Sequence, residues 1–196
     1  MANGRDVNRL TRREFLLPGL LASGAIALFV RVSHGLTLIV TFVPAMIVAN
    51  VCHLLTTARA LPDLHRFRPL YLMAIAVQCV HFAEEVVTGF YKRWPEEIFH
   101  TEPYSLNTFV RINMLSDAVF LVPVIAAERR LRTPMLIAWF VTLMGVVGNA
   151  IQHPLYALKV RGYFPGLYTS LAYWILGPLL VRQLWAARQH DAEERA

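Results

Sequence analysis

The stretch "AVQCVHFAEEVVTGF", Ala76–Phe90, decides how this chain is read. It is apolar enough for lipid apart from Gln78, His81, Glu84 and Glu85. On insertion scales a charged side chain at mid-bilayer costs about 2.5–3.5 kcal/mol, and such groups face a bundle interior or a wet cavity. The stretch therefore marks a membrane-spanning helix and a candidate site on it.

The whole chain supports that reading. Its 196 residues are 56% hydrophobic and 16% charged, with mean hydropathy +0.45. Several apolar runs reach the ~20 residues that cross a ~30 Å hydrocarbon core as a helix. Helices satisfy their own backbone polar groups, which lipid demands. The expected architecture is all-α: a polytopic transmembrane helical bundle forming a single integral-membrane domain over 1–196. Six spans are expected, at 16–32, 35–57, 69–91, 106–127, 134–158 and 166–187, with 188–196 a polar tail that frays.

The net charge of +6 does not point to nucleic acid, because the basic residues sit in short connectors and tails. That is where topology determinants and anionic-lipid contacts lie. Cys52 and Cys79 fall in apolar runs at no metal-ligand spacing and read as buried free thiols.

Lysine and arginine placement orients the bundle. Arg5, Arg9, Arg12 and Arg13 precede the first span, Arg59, Arg66 and Arg68 the third, and Arg129, Arg130 and Arg132 the fifth. These ends, with the tail bearing Arg182 and Arg188, are expected on the cytoplasmic side of the cell membrane, so both termini are cytoplasmic. Glu96, Glu97 and Glu102 outnumber Lys92 and Arg93 in the third connector, which suits the outer side. "TRREFLL", Thr11–Leu17, is also similar to a twin-arginine export signal. Cleavage after it would leave five spans with unchanged orientation, whereas a basic anchor before a first span leaves six.

The third span runs outward from Pro69, placing His81 about 18 Å and Glu84 and Glu85 about 23 Å along its axis. Neighbours at i, i+3 and i+4 share a helix face, so all three address one volume. The fifth span runs outward from Pro134 and carries "GNAIQH", with Asn149 and His153 at about 22 and 28 Å. Two helices thus deliver polar faces to one depth in the outer half of the bilayer. The fourth span brings Arg111, Asn113 and Asp117 to that level, Asp117 also being placed to neutralise Arg111. Tyr163 approaches from the turn before the sixth span and His34 from the start of the second. "YFPGLY" reads as a helix-start turn around Pro165. Asn50 and His53 read as local helix contacts, and His65, His100 and His190 as solvated.

"HFAEE" (His81–Glu85), "NAIQH" (Asn149–His153) and "GYFPGLYTS" (Gly162–Ser170), in this order on apolar helices, resemble the bacterial integral-membrane family named for its HXXEE motif. The resemblance covers roughly Pro69 to Pro178. It implies a membrane protein and this choice of residues. That family is one of unknown function, so no reaction is implied.

Chemistry has to come from the residues. His81 and Glu85 at i, i+4 can ligate one ion from a single helix, and His153 completes two histidines and a carboxylate. That set suits zinc or iron with an open position. It is similar to the H-x-x-E-H motif of inverted zinc proteases, with glutamate replacing the last histidine. Glu84 stands beside it as catalytic base and proton carrier, and Asn149 as a fourth or orienting ligand. Asn113, Asp117 and Tyr163 are supporting residues. Such a centre activates water for attack on a lipid ester, amide or phosphate, the work of a metal-dependent membrane hydrolase. A metal-free alternative leaves one of the two glutamates protonated and pairs it with the histidines to isomerise a lipid or isoprenoid. A non-enzymatic alternative is a proton or ion path, or a lipophile-binding pocket. A packing network is the plainest alternative. In each functional case the partners are membrane lipids and a lipophilic small molecule, with no nucleic acid.

Overall fold

The structure is a computed structural model that describes residues 10–193, with side chains through Ala187. Arg5, Arg9 and the side chains of Arg188 and His190 lie outside the described residues. The chain is all-helical, with no strand among the described residues. Its long helices are α1 (Arg12–Val32), α2 (Thr37–Leu55), α3 (Leu64–Thr88), α4 (Leu106–Glu128), α5 (Met135–Val160) and α6 (Tyr173–Glu193). The first five are long and apolar enough to cross a membrane.

Local chemistry sets most boundaries. Thr11 caps α1 in a reciprocal box: its hydroxyl accepts from the Glu14 N–H while the Glu14 carboxylate accepts from the Thr11 N–H. Asp63 caps α3 by accepting from the His65 N–H. The third helix therefore begins at Leu64, ahead of the Pro69 start expected from sequence, because Phe67 and Tyr71 are buried core residues. It ends at Gly89, whose φ of +80° closes the last turn. The following connector is also ordered, with a helical turn at Phe90–Arg93 and a wide turn at Trp94–Ile98. Glu97 there is held below the usual carboxylate range, first by hydrogen bonds from the Arg93 guanidinium.

Two helices are irregular. The run of α4 is interrupted at Leu121, just before Pro123, whose ring removes a backbone donor. In α5, Val141–Gly148 is π-helical, a form that clusters at functional sites. Asn149 follows it immediately.

Helices α3, α5 and α6 pack together, with α2 against α5, α4 against α3 and α5, and α1 joined through α2. Phe67, Tyr71, Trp139, Tyr173 and Leu184 fill the core. Outward faces are apolar as well: Val87, Leu115, Leu158 and Ile175 are all exposed. A helix apolar on its outer face as well as its inner one matches a lipid surround.

Four sequence expectations change. The sixth segment is not one helix from 166: residues 161–172 form an inward-folded connector that includes a helical turn at Leu167–Ser170, and α6 starts at Tyr173. The backbone stays helical to Glu193 where a frayed tail was expected. Cys79 lies on the exposed side of α3, away from the face bearing Gln78, His81 and Glu85, and Cys52 is half-buried. Arg111 and Asp117 form no ion pair, because six residues of helix turn them to different faces. Near the end of α2, His53 is buried and its Nδ1 is hydrogen-bonded to Thr57, the local contact expected, while Asn50 Oδ1 and His53 Nε2 have no hydrogen-bond partner.

Gly35, at φ +59°, makes the α1–α2 hairpin. A Cβ there would stand 2.7 Å from Thr101 Cγ2 in the opposite connector. Gly35→Ala is expected to lower stability by about 1–2 kcal/mol, the penalty of a left-handed L-residue. Thermal unfolding in detergent reads this as a lower midpoint, with no effect on the site described next.

Candidate metal centre

Helix α3 places His81, Glu84 and Glu85 within one turn, and the final α-helical part of α5 adds His153. His81, Glu85 and His153 are all buried, at 0%, 6% and 1% exposure. Each offers a ligand atom within 4.8 Å of the other two. His81 Nε2 stands 3.4 Å and His153 Nε2 3.5 Å from the same Glu85 oxygen, Oε1. The imidazoles meet edge to face at 4.6 Å between centroids.

The outer nitrogens determine which tautomers are present. His153 Nδ1 lies 2.6 Å from the Pro165 carbonyl, which only accepts, so Nδ1 carries the hydrogen. His81 Nδ1 lies 2.7 Å from Thr169 Oγ1. The Thr169 hydroxyl donates to the Glu84 carboxylate, so its oxygen accepts from His81 Nδ1–H. In the neutral rings each Nε2 then presents a lone pair inward. Two lone pairs and a carboxylate oxygen face one another, and His81 Nε2 has no hydrogen-bond partner although it is fully buried. Three acceptors at this spacing repel unless a proton or a cation lies between them.

Glu84 belongs to the surroundings of this trio. Its carboxylate accepts from the Tyr163 hydroxyl at 2.7 Å, the Tyr168 N–H at 3.2 Å, the Thr169 N–H at 2.9 Å and the Thr169 hydroxyl. Burial and this carboxylate raise the Tyr163 pKa, so its hydroxyl stays a donor. The connector carrying these donors closes over the trio at Gly166, where φ is +84°. A Cβ there would stand 2.6 Å from His153 Nδ1 and 2.8 Å from His81 Cε1. Only a glycine fits between chain and imidazoles.

The remaining expected residues sit at different distances from this point. Asn149 and Asn113 donate to the carbonyls four residues back, Gly145 and Phe109, at 2.9 Å each. Both line a cavity of about 130 Å³ that Glu85 and His153 also border. Asp117 is half-buried on α4 and does not border that cavity. His34, after α1, stacks on Tyr104, before α4, and does not join the trio. Sequence reading missed Thr169, Gly166 and the Pro165 carbonyl. The Pro-Gly dipeptide was a signal, since it marks a turn with positive φ.

Comparison with known proteins adds one match. The model of a family described as "protein of unknown function with HXXEE motif" matches residues 72–181, more than half of the chain. No curated protein and no solved structure matches. The matched region runs from α3 into α6 and includes His81, Glu84, Glu85, His153 and the connector over them, while α1 and α2 lie outside it. The chain belongs to the HXXEE-motif family.

Proposed function

We propose that His81, Glu85 and His153 hold a zinc or iron ion and that the protein is a metal-dependent membrane enzyme, hydrolase-like, acting on a lipophilic substrate. The observation that carries this is the meeting of the His81, Glu85 and His153 ligand atoms within 4.8 Å of one another, in a buried site where His81 Nε2 has no hydrogen-bond partner. Their spacing fits. Two ligands about 2.0–2.1 Å from one ion at a tetrahedral angle stand about 3.3–3.4 Å apart. The 3.4 and 3.5 Å separations match that figure better than a good N–H···O bond. A metal held there supplies Lewis acidity toward a bound carbonyl or phosphoryl oxygen.

The protein's own groups divide the remaining work. Pro165 and Thr169 hold the two imidazoles as acceptors. Glu84, saturated by four hydrogen bonds, is a positioning residue acting through Thr169 rather than the proton carrier expected from sequence. Glu85 and His153 open onto the cavity, so substrate reaches the centre from that side.

The orientation is part of the proposal. Arg68 pairs with Glu128 at 3.0 Å, and Arg132 with Glu14 at 3.4 Å. These contacts gather the starts of α1, α3 and α5 and the end of α4 at one end of the bundle. That end carries the basic clusters and is assigned to the cytoplasm, which puts the trio in the outer half. Labelling of single cysteines at positions 97 and 130 from opposite sides of sealed vesicles is expected, and same-side labelling would refute the topology.

In proteoliposomes, turnover of a lipid ester or amide that a chelator stops and zinc or iron restores is the expected result. Turnover indifferent to chelation would assign the site to metal-free acid–base chemistry. Glu84→Gln is expected to weaken metal affinity roughly 10- to 100-fold without abolishing it, the usual effect of losing an outer partner. Affinity equal to the wild type in a competition titration would remove Glu84 from the orienting role.

A further inference from the structure

The cavity beside the trio carries a pattern that the metal reading does not use. Helix α2 packs on α1 and α5, and α4 packs on α3 and α5, but α2 and α4 share no packed face. The cavity occupies the space between them, bordered by Leu38 and Phe42 on one side and Ile112 and Phe120 on the other. Ile112 borders it while 43% exposed, so the cavity wall there is also the outer surface of the bundle. An opening at this place faces the hydrocarbon of the bilayer rather than water. Along α4 the lining runs from Phe109 to Phe120, about 16 Å of helix. Its volume of about 130 Å³ is close to the ~150 Å³ apolar cavity known to take benzene.

Its walls are mostly apolar, and besides Glu85, His153 and the hydroxyls of Thr41, Tyr104 and Ser116 they carry a belt of four neutral amides. Asn113 and Asn149 each spend their Nδ2 on a helix carbonyl, which leaves each Oδ1 as the free atom. Gln78 accepts from Tyr173 and Gln152 from Tyr156 through their Oε1 atoms, which leaves each amide nitrogen as a donor. Acceptors on α4 and α5 therefore stand beside donors on α3 and α5. Among the described residues no lysine or arginine borders this space. A phosphate or carboxylate head could accept from the two glutamine amides, but it would have no proton to give to the two asparagine oxygens and the Glu85 carboxylate. A hydroxyl both donates and accepts, and matches both halves of the belt.

We infer that this cavity binds an uncharged, hydroxyl-bearing amphiphile that enters sideways from the bilayer between α2 and α4. The hydroxyl sits at the amide belt, the hydrocarbon lies toward Phe120 and Phe140, and the trio meets the outward end of the ligand. The inference rests on the proposed enzyme only for what happens to that ligand; its binding needs no metal.

Trp94 borders the cavity, whereas Trp174 lies on the exposed face of α6, 59% exposed. Full-length protein in lipid nanodiscs is titrated with a terminally brominated medium-chain alcohol, which quenches tryptophan on contact. The alkane and fatty acid of the same length serve as controls. Saturable quenching by the alcohol, lost in Trp94→Phe and at least tenfold weaker for both controls, is expected. Asn113→Leu, at a half-buried position, and Asn149→Leu are each expected to weaken the alcohol roughly fivefold, the worth of one neutral hydrogen bond. Equal affinity for alcohol and alkane, or only non-saturable quenching through Trp174, would overturn the inference. Metal content of the same samples separates the two ideas: saturable alcohol binding by metal-free protein keeps the pocket and removes the metal, and a metal-loaded protein without saturable binding does the reverse.

Discussion

Replacing Gly166 with alanine is expected to dismantle the centre from outside it. The added methyl would stand 2.6 Å from His153 Nδ1 and 2.8 Å from His81 Cε1, inside the contact distance of both rings. The backbone gives no relief, because φ of +84° costs an L-residue about 1–2 kcal/mol. Either the connector lifts, taking the Pro165 carbonyl and Thr169 with it, or both imidazoles turn away from Glu85. Metal affinity is expected to fall by more than about 100-fold, beyond the usual loss of one outer hydrogen bond. The thermal midpoint should fall too. Unchanged metal affinity in a folded Gly166→Ala protein would mean that the connector does not hold the histidines.

The second large effect is a reversal of sign at Glu85. With neither metal nor a shared proton, the wild-type trio is three buried acceptors, and an unsatisfied buried polar group costs about 1–3 kcal/mol. Glu85→Gln brings an amide N–H₂ that can donate to His81 Nε2 or His153 Nε2. In excess chelator the variant is therefore expected to melt above the wild type. In zinc at about 100 times Kd, binding adds about 2.7 kcal/mol to the wild type alone, and the order inverts. A variant that melts below the wild type under both conditions would identify the trio as a proton-sharing packing network.

Much of the bundle is legible before folding is known, and the reason is periodicity. Apolar runs of helical length place the long helices within a few residues, and i, i+4 spacing puts His81 and Glu85 on one face. Counting residues from the ends of α3 and α5 brings His153 to the same depth, and the structure brings the three together. What is not legible depends on tertiary closure. Glu84 and Glu85 are chemically alike and adjacent; only the returning connector, with its Tyr163, Tyr168 and Thr169 donors, sets the carboxylate it holds apart from the one that faces the histidines. The π-helical turns of α5 leave little trace in "VTLMGVVG", since its glycines permit the distortion without requiring it. Pro69 misplaced the start of α3 because a proline near a helix start reads as the first helical residue, while buried Phe67 and Tyr71 carried the helix further back.

Elemental analysis of the detergent-purified protein tests the central claim most directly, wild type beside His81→Ala, each incubated with zinc and iron and then freed of loose metal. One zinc or iron per wild-type chain, lost in a variant that remains folded, is the predicted result. Folded wild-type protein that emerges metal-free after that exposure would contradict it.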